Sequence, residues 1–186
     1  AFDLDAIASL GRNPGHVAIS VHHCYNPNSR GNYTTMTDVM ILGATEIDLG
    51  YNGNVVTHSD GYLLHGIGGW QNCLHARCVI LPVPLFRDRV PVIRERVTTL
   101  CGPGSMIDVV VCERGIAVNP AREDLLERLR GSHLPLRTIE SLYEEALSYC
   151  GRPDDPVVDK ERVVAGITWV DGSLIDVVHP LVMDQA

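Results

Sequence analysis

The residues best suited to chemistry lie in Gly61 to Cys73, which reads GYLLHGIGGWQNC. Gly66, Gly68 and Gly69 fall within four positions, after an apolar run and ahead of a helix expected to begin near Trp70. Backbone N–H groups at such a point lack helix partners and converge, and the helix dipole favours negative charge. The loop can bind a carboxylate or hold an oxyanion formed during a reaction, with Gly68 and Gly69 as donors. Gly66, Trp70 and Asn72 flank it as candidates for substrate contact. The structural alternative is a tight turn, since glycine serves wherever φ is positive. The run is not the dinucleotide fingerprint GxGxxG, because the third glycine comes too early and no acidic residue follows at the usual distance.

Other polar residues are candidates with bland alternatives. Glu46, in Gly43-Ala-Thr-Glu-Ile-Asp48, is a positioning group near substrate or a strand-end acid in solvent. Asn54 orients a substrate or stabilises its own turn. Arg87, Arg89, Arg94 and Arg96 form the main basic cluster. Alternate positions on a strand share a face, so Arg94 and Arg96 can hold an anion together, or they line a solvated edge. Arg122 is a further cation, with helix-surface charge as its alternative. His22-His23-Cys24 invites a metal reading, but no second cluster of ligands accompanies it, so a surface loop and no metal are expected.

These side chains need a scaffold. A short helix is expected over Asp3 to Leu10, ended by Gly11. Asp38 to Leu42, Cys78 to Val83 and Ile107 to Cys112 read as strands. Val55 to Ser59 and Tyr62 to His65 read as a hairpin split by Asp60-Gly61, and Arg89 to Leu100 as a strand broken by Pro91. Asn119-Pro120 is expected to start a helix over Ala121 to Arg130, and Thr138 to cap one over Ile139 to Cys150. Arg162 to Val170 and Ser173 to Val178 close the chain as a hairpin. The pattern predicts one α/β domain over 1–186, a mixed open sheet with flanking helices.

Composition narrows the function classes. The net charge is −8 over 186 residues, which argues against a nucleic-acid partner, because phosphate backbones need clustered cations. No run approaches 18 apolar residues, so no membrane span is expected. The opening AFDLDAIASLG has neither Met nor signal-peptide regions, so a trimmed or excised piece is expected. The six cysteines lack paired spacing and read as free thiols of a cytoplasmic protein.

Five segments taken in order carry a resemblance: FDLDAIASLGRNPGHVAIS, VMILGATEIDLGYNGNVVT, GIGGWQN, VVVCERGIAVNP and DGSLIDVV. Together they resemble the α subunit of citrate lyase, a CoA-transferase-type enzyme, over nearly the entire chain. The resemblance is to the C-terminal one of two similar halves and implies a CoA-transferase-like fold. It implies exchange of acetyl for citrate on a thioester, giving citryl thioester and acetate. No cofactor would be permanently bound; the thioester sits on a CoA-like group of an acyl carrier subunit or on CoA itself. The implied partners are the N-terminal half, a β subunit, the acyl carrier subunit and citrate, in an oligomer. Covalent CoA transferases use a glutamate upstream of an LGA segment. Pro14 to Arg30 contains no acid, which fits a direct ternary mechanism and leaves Glu46 a positioning role.

The sequence departs from that family where Trp70 stands for a common His, and where Leu74 and His75 stand for small residues. An indole N–H only donates and cannot replace imidazole in proton transfer. Related acids such as citramalate or malonate, and a non-catalytic assembly half, are the competing readings. A sugar-phosphate isomerase relative fits less well, since no acid follows Gly69 until Asp88.

Overall fold

A computed structural model describes residues 3–26 and 31–182. Three short helices come first: α1 (Leu4–Arg12), α2 (Val21–Tyr25) and α3 (Tyr33–Met36). Strands β1 (Val39–Ile41), β2 (Glu46–Asp48) and β3 (Gly53–Asn54) follow, then α4 (Trp70–Cys73) and β4 (Cys78–Pro82). Next are β5 (Phe86–Arg87), β6 (Val90–Pro91), β7 (Ile93–Arg94), β8 (Val109–Cys112) and β9 (Gly115–Val118). The chain continues through α5 (Glu123–Leu129), β10 (Leu136–Arg137), α6 (Ile139–Cys150), β11 (Ala165–Thr168) and β12 (Leu174–Val178).

The main sheet is mixed and open, in the order β1-β4-β8-β9-β10. β1, β4 and β8 run parallel, β8 and β9 form an antiparallel hairpin, and β10 is parallel to β9. A smaller sheet, β3-β2-β7, pairs β2 antiparallel to β3 and parallel to β7. Helix α6 packs against β6, β7 and β9 and so ties the two sheets together. Its Ile139, Leu142 and Ala146 are buried at helical spacing, the stripe that such a contact requires. Thr138 caps it by accepting from the Ser141 N–H at 3.2 Å, and Gly151 ends it. The core joins Val79 and Leu81 of β4, Val110 of β8, Ile47 of β2 and Ile93 of β7.

Several expectations are corrected. α1 runs through Gly11 to Arg12 and stops at Asn13. The segment His22-His23-Cys24 is helical, because Ser20 accepts from the His23 N–H and nucleates a turn. Residues 55–65 make the expected reversal, but only Thr57 and Leu63 bridge. The stretch 89–100 supplies only β6 and β7. Asn119 does not cap a helix starting at Ala121. It accepts from the Ala121 N–H in a turn and donates to the carbonyls of Gly104 and Ile107, so α5 starts at Glu123. All six cysteines are free thiols. Among the described residues no helix is long and apolar enough to cross a membrane, and no group of three or more His, Cys, Asp or Glu could hold a metal ion.

Candidate functional site

The glycine loop has the geometry of an anion nest. Gly68 sits at φ +61°, a left-handed conformation, and Gly69 follows at φ −89°, ψ 8°. Alternating hand in successive residues turns their N–H groups to one side. Among the described residues neither the Gly68 nor the Gly69 N–H has a protein partner, while the Trp70 N–H closes the turn onto the Ile67 carbonyl at 3.3 Å. Space around Gly68 is open, and a methyl group there would meet nothing within 4 Å. Gly69 is different: a methyl group there would lie 3.0 Å from the Tyr25 ring.

Tyr25 is thus a wall of the loop, which the sequence did not signal. Asn72 holds it there by donating Nδ2–H to the Tyr25 carbonyl at 2.7 Å. The neighbouring Cys73, together with burial, pushes the Tyr25 phenol up from its ordinary value, so it stays protonated. Burial likewise raises the Cys73 thiol.

Trp70 belongs to the core. Its indole is buried and donates Nε1–H to the Gly43 carbonyl at 2.9 Å. The ring lies so close over Gly53 and Gly102 that a methyl group at either would fall within 2.8 Å of it. Gln71 pins the same helix to the Cys101 carbonyl at 2.8 Å. Leu74 is also core, next to Gly102, and His75 packs against Trp169 at 5.9 Å between ring centres.

Glu46, Asn54 and Arg94 come together in a buried network. Glu46 is wholly enclosed, which removes the solvent reading. Its carboxylate accepts from Arg94 at 3.0 Å, from the Thr98 hydroxyl at 3.0 Å, from the Thr98 N–H at 2.7 Å and from Asn54 Nδ2–H at 2.9 Å. Asn54 also donates to the Thr57 hydroxyl, which in turn bonds Thr99 at 2.8 Å. Every acceptor direction of Glu46 is engaged, so the network fixes the carboxylate in place. The second nitrogen of Arg94 reaches the exposed Asp155 at 3.0 Å.

The two arginines expected on one strand face separate. β7 ends at Arg94, which is buried, and Arg96 lies beyond it, exposed. Both nevertheless line a cavity of about 290 Å³ with Tyr143 and Arg152. Arg122 is committed elsewhere. It pairs with Asp108 at 2.7 Å and Asp124 at 2.8 Å, and those hydrogen bonds raise its affinity for its proton. Asp108 also accepts the Val79 N–H at 2.6 Å, so this cluster fastens α5 to the start of β4.

Open mixed sheets with packed helices define an α/β domain that carries a glycine loop as its candidate anion site. The family model for citrate lyase, alpha subunit (CitF), matches residues 1–181, and the chain belongs to that family. It is 43% identical over 180 residues to the citrate lyase alpha chains of Klebsiella pneumoniae and Escherichia coli, covering 96% of this chain. The alpha subunit of citrate lyase from Streptococcus mutans, solved in complex with citrate, superposes with a TM-score of 0.92 at 38% identity over 98% of this chain. The chain spans about a third of the length of these relatives, 35% of the two alpha chains and 36% of the S. mutans chain.

Proposed function

We propose that this chain provides part of the site at which citrate is exchanged for acetate on a thioester. The observation that carries the reading is the pair of unpartnered amides at Gly68 and Gly69, in a chain of the citrate lyase alpha-subunit family. A citrate carboxylate oxygen attacks the acetyl carbonyl carbon, and the carrier thiolate leaves with the C–S electron pair. The resulting mixed anhydride is reopened by the thiolate on its citryl side, releasing acetate. Each step passes through a tetrahedral oxyanion, and the two amides are the donors for it. Such donors act without reorganisation at the moment of reaction, and losing one costs about 3 kcal/mol of transition-state stabilisation.

Glu46 takes no part as nucleophile in this scheme, since its oxygens are filled by Arg94, Thr98 and Asn54. That supports direct exchange without a glutamyl intermediate. No cofactor is retained; the thioester arrives on an acyl carrier subunit or CoA. The setting is an oligomer with a β subunit and the carrier, and six free thiols fit a reducing cytoplasm. With about a third of the relatives' length, the chain alone is catalytically silent. The test is isotope exchange between labelled acetyl thioester and citrate, run with this chain alone and with the N-terminal portion of the subunit added. Exchange only in the second case is expected. Turnover by these 186 residues alone refutes the shared site, and none in either case refutes the activity.

A further inference from the structure

Beneath the terminal hairpin β11–β12 lies a cavity of about 380 Å³, within the range of small-ligand sites. Thr57, Thr98 and Thr99 form one side, so it adjoins the network around Glu46. Its charged wall consists of Arg96, Lys160, His179, Asp155 and Asp176.

The acids of that wall are already engaged. Asp176 accepts the Leu100 N–H at 2.6 Å and the Val177 N–H at 2.8 Å. Asp155 accepts from Arg94 at 3.0 Å. His179 is fixed by Nδ1, which donates to the Arg162 carbonyl at 2.6 Å. Among the described residues Arg96 and Lys160 have no partner at all. Arg96 also borders the 290 Å³ cavity, where Arg94 is taken by Glu46 and Asp155, and Arg152 by Glu95. The space therefore presents two uncommitted cations, Arg96 and Lys160, beside carboxylates whose hydrogen bonds go elsewhere, in a chain whose net charge is −8. An anion drawn to this protein must be recognised locally, and the guanidinium fork of Arg96 with the mobile ammonium of Lys160 suits separate anionic groups of one molecule.

We infer that this cavity binds a compact anion carrying two or more carboxylate or phosphate groups, one on Arg96 and another on Lys160. The inference rests on the exchange reading in naming its occupant as the polycarboxylic acyl acceptor. A phosphate of the thioester arm shares the chemistry, and the test separates the two.

The experiment is equilibrium titration of the protein with citrate, acetate and pyrophosphate, using wild type, Arg96→Gln, Lys160→Gln and the control Arg89→Gln. Arg89 is exposed and lies outside both cavities. Neither Arg96 nor Lys160 has a protein partner to lose, so unchanged melting temperatures are expected. Citrate should bind wild type and Arg89→Gln alike, and each cavity variant about tenfold or more weakly. Acetate should bind all of them equally poorly. Citrate affinity indifferent to Arg96 and Lys160 overturns the cavity and leaves the exchange reading standing. Pyrophosphate bound in their place, with the same dependence, keeps the cavity and removes citrate as its occupant. Binding of neither polyanion overturns the inference.

Discussion

Glu46 and Arg94 come from positions 48 residues apart and meet with almost no access to water, 0% and 4% exposed. Burying two charges is costly unless the remaining hydrogen-bond positions are filled, and here Thr98, Asn54 and Asp155 fill them. Removing one partner leaves the other charge stranded. Glu46→Ala is therefore expected to lower unfolding free energy by about 3–5 kcal/mol, read from denaturant titration. A loss below about 1 kcal/mol, the scale of exposed pairs, would show that the pair is effectively solvated. The residue types were legible in the sequence, but their association was not. Local spacing says nothing about which carboxylate a distant arginine will face, so the solvent-edge reading of Glu46 was physically reasonable and wrong. Arg122, expected as a further cation or as helix-surface charge, has partners that its local spacing only half reveals: Asp124 lies nearby in the chain, but Asp108 is brought to it by the fold.

Elements were legible where local signals agree with the fold. Thr138 and Gly151 bracket α6, and the apolar runs of β4 and β8 mark the central strands. β2 and β3 were missed because Glu46-Ile47-Asp48 and Gly53-Asn54 carry polar side chains that a buried strand ordinarily lacks. Hydrogen bonds from elsewhere in the chain make their burial tolerable. The short helix α4 is held by Trp70, whose ring occupies space cleared by Gly53 and Gly102. Trp70→Ala is expected to cost about 3–5 kcal/mol in thermal or denaturant unfolding. Trp70→Phe should cost less and leave exchange per folded molecule unchanged, whereas selective loss of exchange would return Trp70 to the chemistry. At the start of α5, hydrogen bonds from Arg122 hold the Asp124 carboxyl down to about 2, against an ordinary 3.8. A depressed carboxyl contributes stability above its ordinary value and loses it as pH falls through 3.8 towards 2. An NMR titration of Asp124 should show its midpoint near 2, and a midpoint near 3.8 would mean that the pair with Arg122 does not persist in solution.

At the scale of the molecule, the two sheets joined by α6 form the scaffold, and the glycine loop and the cavity below the terminal hairpin lie on its surface. The glycine run marked that loop in the sequence, but which of its glycines carries the left-handed conformation was not legible there. Positive φ belongs to Gly68, whereas Gly69 is constrained by the Tyr25 ring. Gly68 is therefore the position at which a substitution tests the loop. Gly69→Val would push against Tyr25 and confuse packing with chemistry. Gly68→Val meets open space, and its β-branched side chain resists φ +61° at a cost of about 1–2 kcal/mol. The folded protein should survive with its two amides turned away from a common point. The direct test is single-turnover acetyl-to-citryl exchange by Gly68→Val, with the N-terminal portion of the subunit present and rates expressed per folded molecule. The rate should fall by roughly 10²-fold or more, with citrate affinity little changed. A wild-type rate would contradict the account and leave the glycine loop as a turn.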